Sequence, residues 1–112
     1  MNITTKFVDS IAVIALEGEI DGKTAPEAQA ILLPILAEHA KVVMDLGKVT
    51  YMSSAGLRTM LLVYRSAKTK NGTVCLVNML EVVRETMDAT GFLEFFVISE
   101  TVESAITFLK SN

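Results

Sequence analysis

One junction constrains this chain more than any other: a short apolar run gives way to a serine- and glycine-bearing turn, and then to helical spacing. The run is Lys41-Val42-Val43-Met44-Asp45-Leu46, a strand of the kind that a sheet buries on both faces. The turn lies within Val49-Thr50-Tyr51-Met52-Ser53-Ser54-Ala55-Gly56-Leu57-Arg58, and after it Leu57, Met60, Leu61 and Tyr64 recur at helical spacing. Ser53 fits an N-cap, which puts Ser54 at the first helical position with its side chain outward. An anion held there meets free backbone N–H groups and the positive end of the helix dipole.

The same alternation runs through the rest of the chain. Ile3 to Val8 and Ile11 to Leu16 read as strands joined by a tight antiparallel turn at Asp9-Ser10. Glu17-Gly18-Glu19-Ile20-Asp21-Gly22 reads as a polar loop flanked by glycine. Thr24-Ala25-Pro26-Glu27 has a capping-box pattern, with Thr24 as cap and Glu27 reaching back, and the helix it opens is expected to run to about Glu38 with a bend at Pro34. The second helix should end near Lys70-Asn71-Gly72, with Gly72 as the left-handed cap residue. Thr73 to Asn78 is a further buried strand, Leu80, Val83 and Met87 mark a third helix stopping at Gly91, and Phe95 to Ile98 is a last strand. Thr101 then opens a fourth helix with Val102, Ala105, Ile106 and Leu109 on one face. Strands alternating with helices predict an α/β fold: one domain over residues 1–112, with a mixed, mainly parallel sheet of about five strands and about four helices.

Composition narrows the function. A length of 112 residues suits one core, and the 51% hydrophobic content predicts thorough packing or an apolar surface kept for a partner. No apolar run is long enough to cross a bilayer, since Ala30 to Ala37 is broken by Pro34 and followed by Glu38. Met1 to Lys6 shows no signal-peptide pattern, and the single Cys75 fits a reducing cytoplasm, so a cytoplasmic protein without membrane contact is expected. The net charge of -3 and scattered basic residues argue against direct nucleic-acid binding.

Catalytic equipment is sparse. His39 is the one histidine and has no Cys, Asp or Glu at ligand spacing, so neither a metal nor a cofactor is expected. Cys75 reads as a small core residue. Ser54 with Gly56 partly matches a nucleophile elbow, but Met52 stands at the first glycine position and no histidine follows the serine. Glu17, Glu19 and Asp21 read as solvated charges. A non-enzymatic binding module fits best. On local chemistry, Ser54 reads either as a phosphate acceptor or as an ordinary first-turn polar residue after its cap.

The wider string Asp45-Leu46-Gly47-Lys48-Val49-Thr50-Tyr51-Met52-Ser53-Ser54-Ala55-Gly56-Leu57 resembles the signature of STAS-domain proteins of the bacterial anti-sigma factor antagonist family. Gly18-Glu19-Ile20-Asp21 resembles the G-E-[IL]-D element that this family carries after its second strand, and element order agrees from about Ile3 to Leu109. The resemblance implies a partner switch. The unphosphorylated protein would bind an anti-sigma factor that is also a serine-protein kinase. Phosphorylation at the helix start would release it, and a PP2C-type phosphatase would reset it. Carried onto this sequence, Ser54 is the acceptor, with Ser53 as the alternative, and Glu19, Asp21, Ser53, Ala55, Gly56 and Arg58 form the partner-binding set. Ser53 stands where many members have Asp, and Ala55 replaces a frequent second serine. The resemblance equally allows a non-phosphorylated STAS scaffold subunit of a signalling or transporter complex.

Overall fold

The computed structural model describes residues 1–111. Its elements are β1 (Asn2–Val8), β2 (Ile11–Ile20), α1 (Ala25–Glu38), β3 (Lys41–Met52), α2 (Ser54–Lys68), β4 (Thr73–Val77), α3 (Glu81–Ala89), a one-turn 3-10 helix (Phe92–Phe95), β5 (Val97–Ser99) and α4 (Val102–Lys110). One five-stranded sheet runs β1-β2-β3-β4-β5; the first pair is antiparallel and the others are parallel. The expected α/β class, strand number and helix number are all present.

Burial on both faces explains the apolar strands. Ala12, Ile14, Leu16, Val42, Met44, Val74 and Leu76 face a core completed by Leu32 and Leu36 of α1, Met60 and Val63 of α2, and Val83 and Met87 of α3. The alternate residues Ile11, Val13, Val43, Cys75 and Val77 pack under Ala105 and Leu109 of α4. Burial pushes the Cys75 thiol above its ordinary range, as expected of a small core residue. α4 is held by the capping box of Thr101 with Ser104.

Two expected boundaries move, for one reason. Glu17 to Ile20 is strand rather than loop, and β3 continues six residues beyond Leu46, to Met52. The β2–β3 register steps from Ala15↔Asp45 to Glu17↔Lys48, and from Gly18↔Val49 to Glu19↔Tyr51. Each step adds one residue to β3, a bulge that shifts the inward phase from Leu46 to Val49 and then to Met52. Strict alternation therefore fails in the sequence where the strand in fact goes on. The first bulge is pinned by Asp45, whose Oδ1 accepts from the Gly47 amide at 2.9 Å and from Asn78 Nδ2 at 3.3 Å.

Three other expectations are corrected. Thr24 is the N-cap of α1, but its side chain makes no capping bond to the helix and the box with Glu27 does not form. Pro34 lies inside α1, as expected. After α2 the left-handed residue is Asn71 (φ 54), not Gly72. Gly72 is needed instead for close approach, since a Cβ there would press on the backbone of Ala40. The last strand starts at Val97, because Phe92 to Phe95 close a 3-10 turn that stacks Phe95 on Tyr64, ring centroids 4.8 Å apart.

Candidate functional site

The carboxyl ends of β2 and β3 extend past β4, whose pairing with β3 ends at Asp45↔Val77. They meet at Ile20, whose carbonyl accepts from the Ser53 amide at 2.9 Å and from the Ser53 hydroxyl at 3.4 Å. The Ser53 oxygen in turn accepts from the Gly56 amide at 3.4 Å, capping α2. Ser54 follows as the first helical residue and is exposed, as the cap pattern predicts. Of the two hydroxyls, that of Ser53 is engaged in both roles and that of Ser54 faces solvent.

Gly56 makes this approach possible. A Cβ at position 56 would meet the Ile20 carbonyl oxygen, Met52 Cγ at 2.7 Å and Ile20 Cγ2 at 3.1 Å. Any side chain there would push α2 off the end of β2. Beneath it, the fully buried Thr59 donates to the Ala55 carbonyl at 3.1 Å and accepts from Gln29 Nε2 of α1 at 3.0 Å. Sequence reasoning missed this pair, because neither residue type at that spacing announces a contact between helices.

The acidic segment is an ordered turn. Asp21 Oδ1 accepts from the Lys23 amide at 2.9 Å and from the Thr24 amide at 3.1 Å. Thr24 Oγ1 donates to the Glu19 carbonyl at 2.7 Å and accepts from the Asp21 amide at 3.0 Å. Thr24 is thus spent on the loop, which explains the absent capping box. The Thr24 and Lys23 amides hold the Asp21 carboxyl below the usual aspartate value. Glu19 is exposed and pairs in register with Tyr51, which is itself 48% exposed. Tyr51 completes a surface of Glu19, Ser54, Ala55 and Arg58, in which Arg58 is also exposed. Its place opposite Glu19 follows from the bulges, which the sequence pattern hides.

The structure brings Glu19, Asp21, Ser53, Ser54 and Gly56 together at one end of the sheet. It does not bring His39 there. His39 caps the C-terminus of α1 before β3 begins, its ring 4.8 Å from that of Phe7 and its Nδ1 3.3 Å from the Ser10 carbonyl. Ser54 follows the other end of β3, so the two cannot act as nucleophile and base. No group of His, Cys, Asp and Glu fit to hold a metal occurs among the described residues, and no helix there is long and apolar enough to cross a membrane.

Comparison with known proteins agrees with this fold. BtrV of Bordetella bronchiseptica, which carries a provisional name as an anti-sigma factor antagonist, is 31% identical over 99% of this chain and 97% of its own. The anti-sigma-B factor antagonist of Bacillus subtilis is 27% identical over 95% of this chain and 97% of its own. The solved structure of the Bacillus cell fate determinant SpoIIAA in its phosphorylated form superposes with a TM-score of 0.74 at 20% identity, covering 95% of this chain and 97% of that one, and shows the shared fold. The STAS domain model matches residues 2–105, so this chain belongs to the STAS domain family.

Proposed function

We propose that the protein is an anti-sigma factor antagonist, a cytoplasmic binding module without catalytic activity that works by partner switching. The unphosphorylated chain binds an anti-sigma factor with serine-protein kinase activity through Glu19, Asp21, Ser53, Ala55 and Arg58, while Gly56, buried against Ile20, sets the position of that face. The kinase transfers the γ-phosphoryl group of ATP to Ser54 Oγ, releasing ADP and the hydroxyl proton. A PP2C-type phosphatase hydrolyses the ester and restores binding. The observation that carries this reading is the division of labour between two adjacent hydroxyls: Ser53 is held in the cap while Ser54 is open at the helix start. The names of the relatives, which are those of regulators rather than enzymes, support it.

A phosphate adds about −1.5 to −2 charges at that point. Placed against an acidic partner surface, like charge weakens the complex by several kcal/mol, and each 1.4 kcal/mol is about tenfold in affinity. The fold beneath need not change.

Incubation with the anti-sigma factor kinase and ATP, then mass mapping, tests this. One phosphate on Ser54, absent from Ser54→Ala, is the expected result, as is weaker partner binding by Ser54→Asp with an unchanged circular dichroism spectrum. Labelling that survives Ser54→Ala moves the acceptor elsewhere. A complex indifferent to Ser54→Asp supports a constitutive scaffold subunit instead.

A further inference from the structure

The first turns of α2 pair a hydroxyl with a cation that makes no ion pair among the described residues. Ser54 and Arg58 are both exposed and stand four residues apart on the helix. Residues at that spacing are surface neighbours, with Cβ atoms about 5–6 Å apart. Helical side chains lean toward the N-terminus, which carries the Arg58 stem back over the turn that holds Ser54. The other helical neighbours of Arg58 are Ala55, Leu61 and Leu62, and the first turn of α2 contains no acidic residue. Ion pairs among the described residues join Met1 to Glu27 and Asp9 to Lys110, so no carboxylate there claims the Arg58 guanidinium.

We propose that Arg58 is the internal counter-charge for a phosphate on Ser54, its guanidinium forking onto two phosphoryl oxygens once the group is attached. The inference rests on Ser54 as acceptor. A planar guanidinium presents paired N–H donors that match two oxygens, a fit a lysine cannot reproduce. The helix start adds to it, because the Ser54 and Ala55 amides precede the first intrahelical bond, from the Leu57 amide to the Ser53 carbonyl at 2.9 Å. Together these favour the phosphate dianion and lower its second pKa from the ordinary value near 6. The group then carries its full charge at neutral pH and is pinned rather than mobile. One modification both adds negative charge to the surface and withdraws an exposed cation from it.

The test places phosphoserine at position 54 during translation, so that no kinase is needed, and follows its titration by phosphorus NMR in the full chain, in Arg58→Gln and in Arg58→Lys. The wild-type midpoint should lie about half a pH unit below that of Arg58→Gln at low salt, as an exposed pair allows. Arg58→Lys should fall between them, and the difference should shrink in about 1 M salt. Equal midpoints for wild type and Arg58→Gln overturn the proposal, and a wild-type value in Arg58→Lys overturns the forked geometry. A kinase that ignores Ser54 would sink the functional reading and leave this measurement standing.

Discussion

Ser53 is tied to Ile20 twice, by an amide bond of 2.9 Å and a hydroxyl bond of 3.4 Å to the same carbonyl oxygen. The ends of β2 and β3 therefore form one unit, with the acidic turn and the start of α2 fixed to each other. A serine can make the second bond because its hydroxyl donates; an ionised aspartate, the common residue here in the family it resembles, only accepts. Such an aspartate could cap α2 but could not reach back to Ile20 in this way.

Gly56→Ala sets two effects against each other. In a helix interior, alanine gains about 1 kcal/mol over glycine. Against that, the added Cβ meets the backbone oxygen of Ile20, which cannot rotate away, and Met52 Cγ at 2.7 Å. Overpacking of this kind costs about 1–3 kcal/mol and more where backbone must move, so the clash should win by about 2 kcal/mol. A melting temperature roughly 8–12 °C lower is expected by calorimetry; an unchanged one would contradict the close approach.

Asp21 should titrate below the usual aspartate value of 3.8, because the Thr24 and Lys23 amides donate to its ionised form. A depressed folded pKa means stability that is present above the unfolded pKa and is lost as pH falls through the folded one. The acidic turn should thus loosen only below about pH 4. Carboxyl chemical shifts followed by NMR give the midpoint directly. Asp21→Asn retains an Oδ1 acceptor and should keep the turn at neutral pH, whereas Asp21→Ala should broaden the amide signals of Lys23 and Thr24.

The sequence was legible wherever one residue settles one local choice. Val42, Val43 and Met44 could only be a strand buried on both sides, and Thr101 and Ser104 read directly as a helix start. Ser53 as cap and Ser54 as first helical residue came from the same kind of signal. Illegible features depend on two distant segments. The bulges in β3 exist only relative to β2, so Tyr51 and the strand character of Glu17 to Ile20 were hidden. Thr24 fits a capping box perfectly well in isolation and is drawn off by the Glu19 carbonyl, a backbone group that carries no signature.

Thr59→Val should destabilise by about 1–2 kcal/mol. The change removes the only buried polar side chain among the described residues, breaks the bond to the Ala55 carbonyl and leaves Gln29 Nε2 without its acceptor. Gln29→Leu with Thr59→Val removes both partners, and the double variant should lose less than the sum of the single ones. Urea denaturation of the four proteins measures the coupling; strict additivity would mean that α1 and α2 are not joined there.

Asn71 and Gly72 end α2 by different means, and alanine at each should separate them. Asn71 holds φ 54, a conformation that costs a non-glycine residue roughly 1–2 kcal/mol and that asparagine bears better than most. Asn71→Ala should therefore lose about 1 kcal/mol, and Asn71→Gly close to nothing, since relief of strain is offset by the greater freedom of the unfolded chain. Gly72 has no positive φ, and its amide donates to the Ala67 carbonyl at 2.8 Å. A Cβ there would press on the Ala40 carbonyl group, with the Ala40 carbon atoms at 3.0 Å, while that carbonyl accepts the Thr73 amide at 2.8 Å. Gly72→Ala should cost more than Asn71→Ala, about 2–3 kcal/mol, because it parts the first rung between β3 and β4. Amide exchange at Thr73 should quicken in Gly72→Ala and stay slow in Asn71→Ala; the reverse order would return the left-handed role to Gly72.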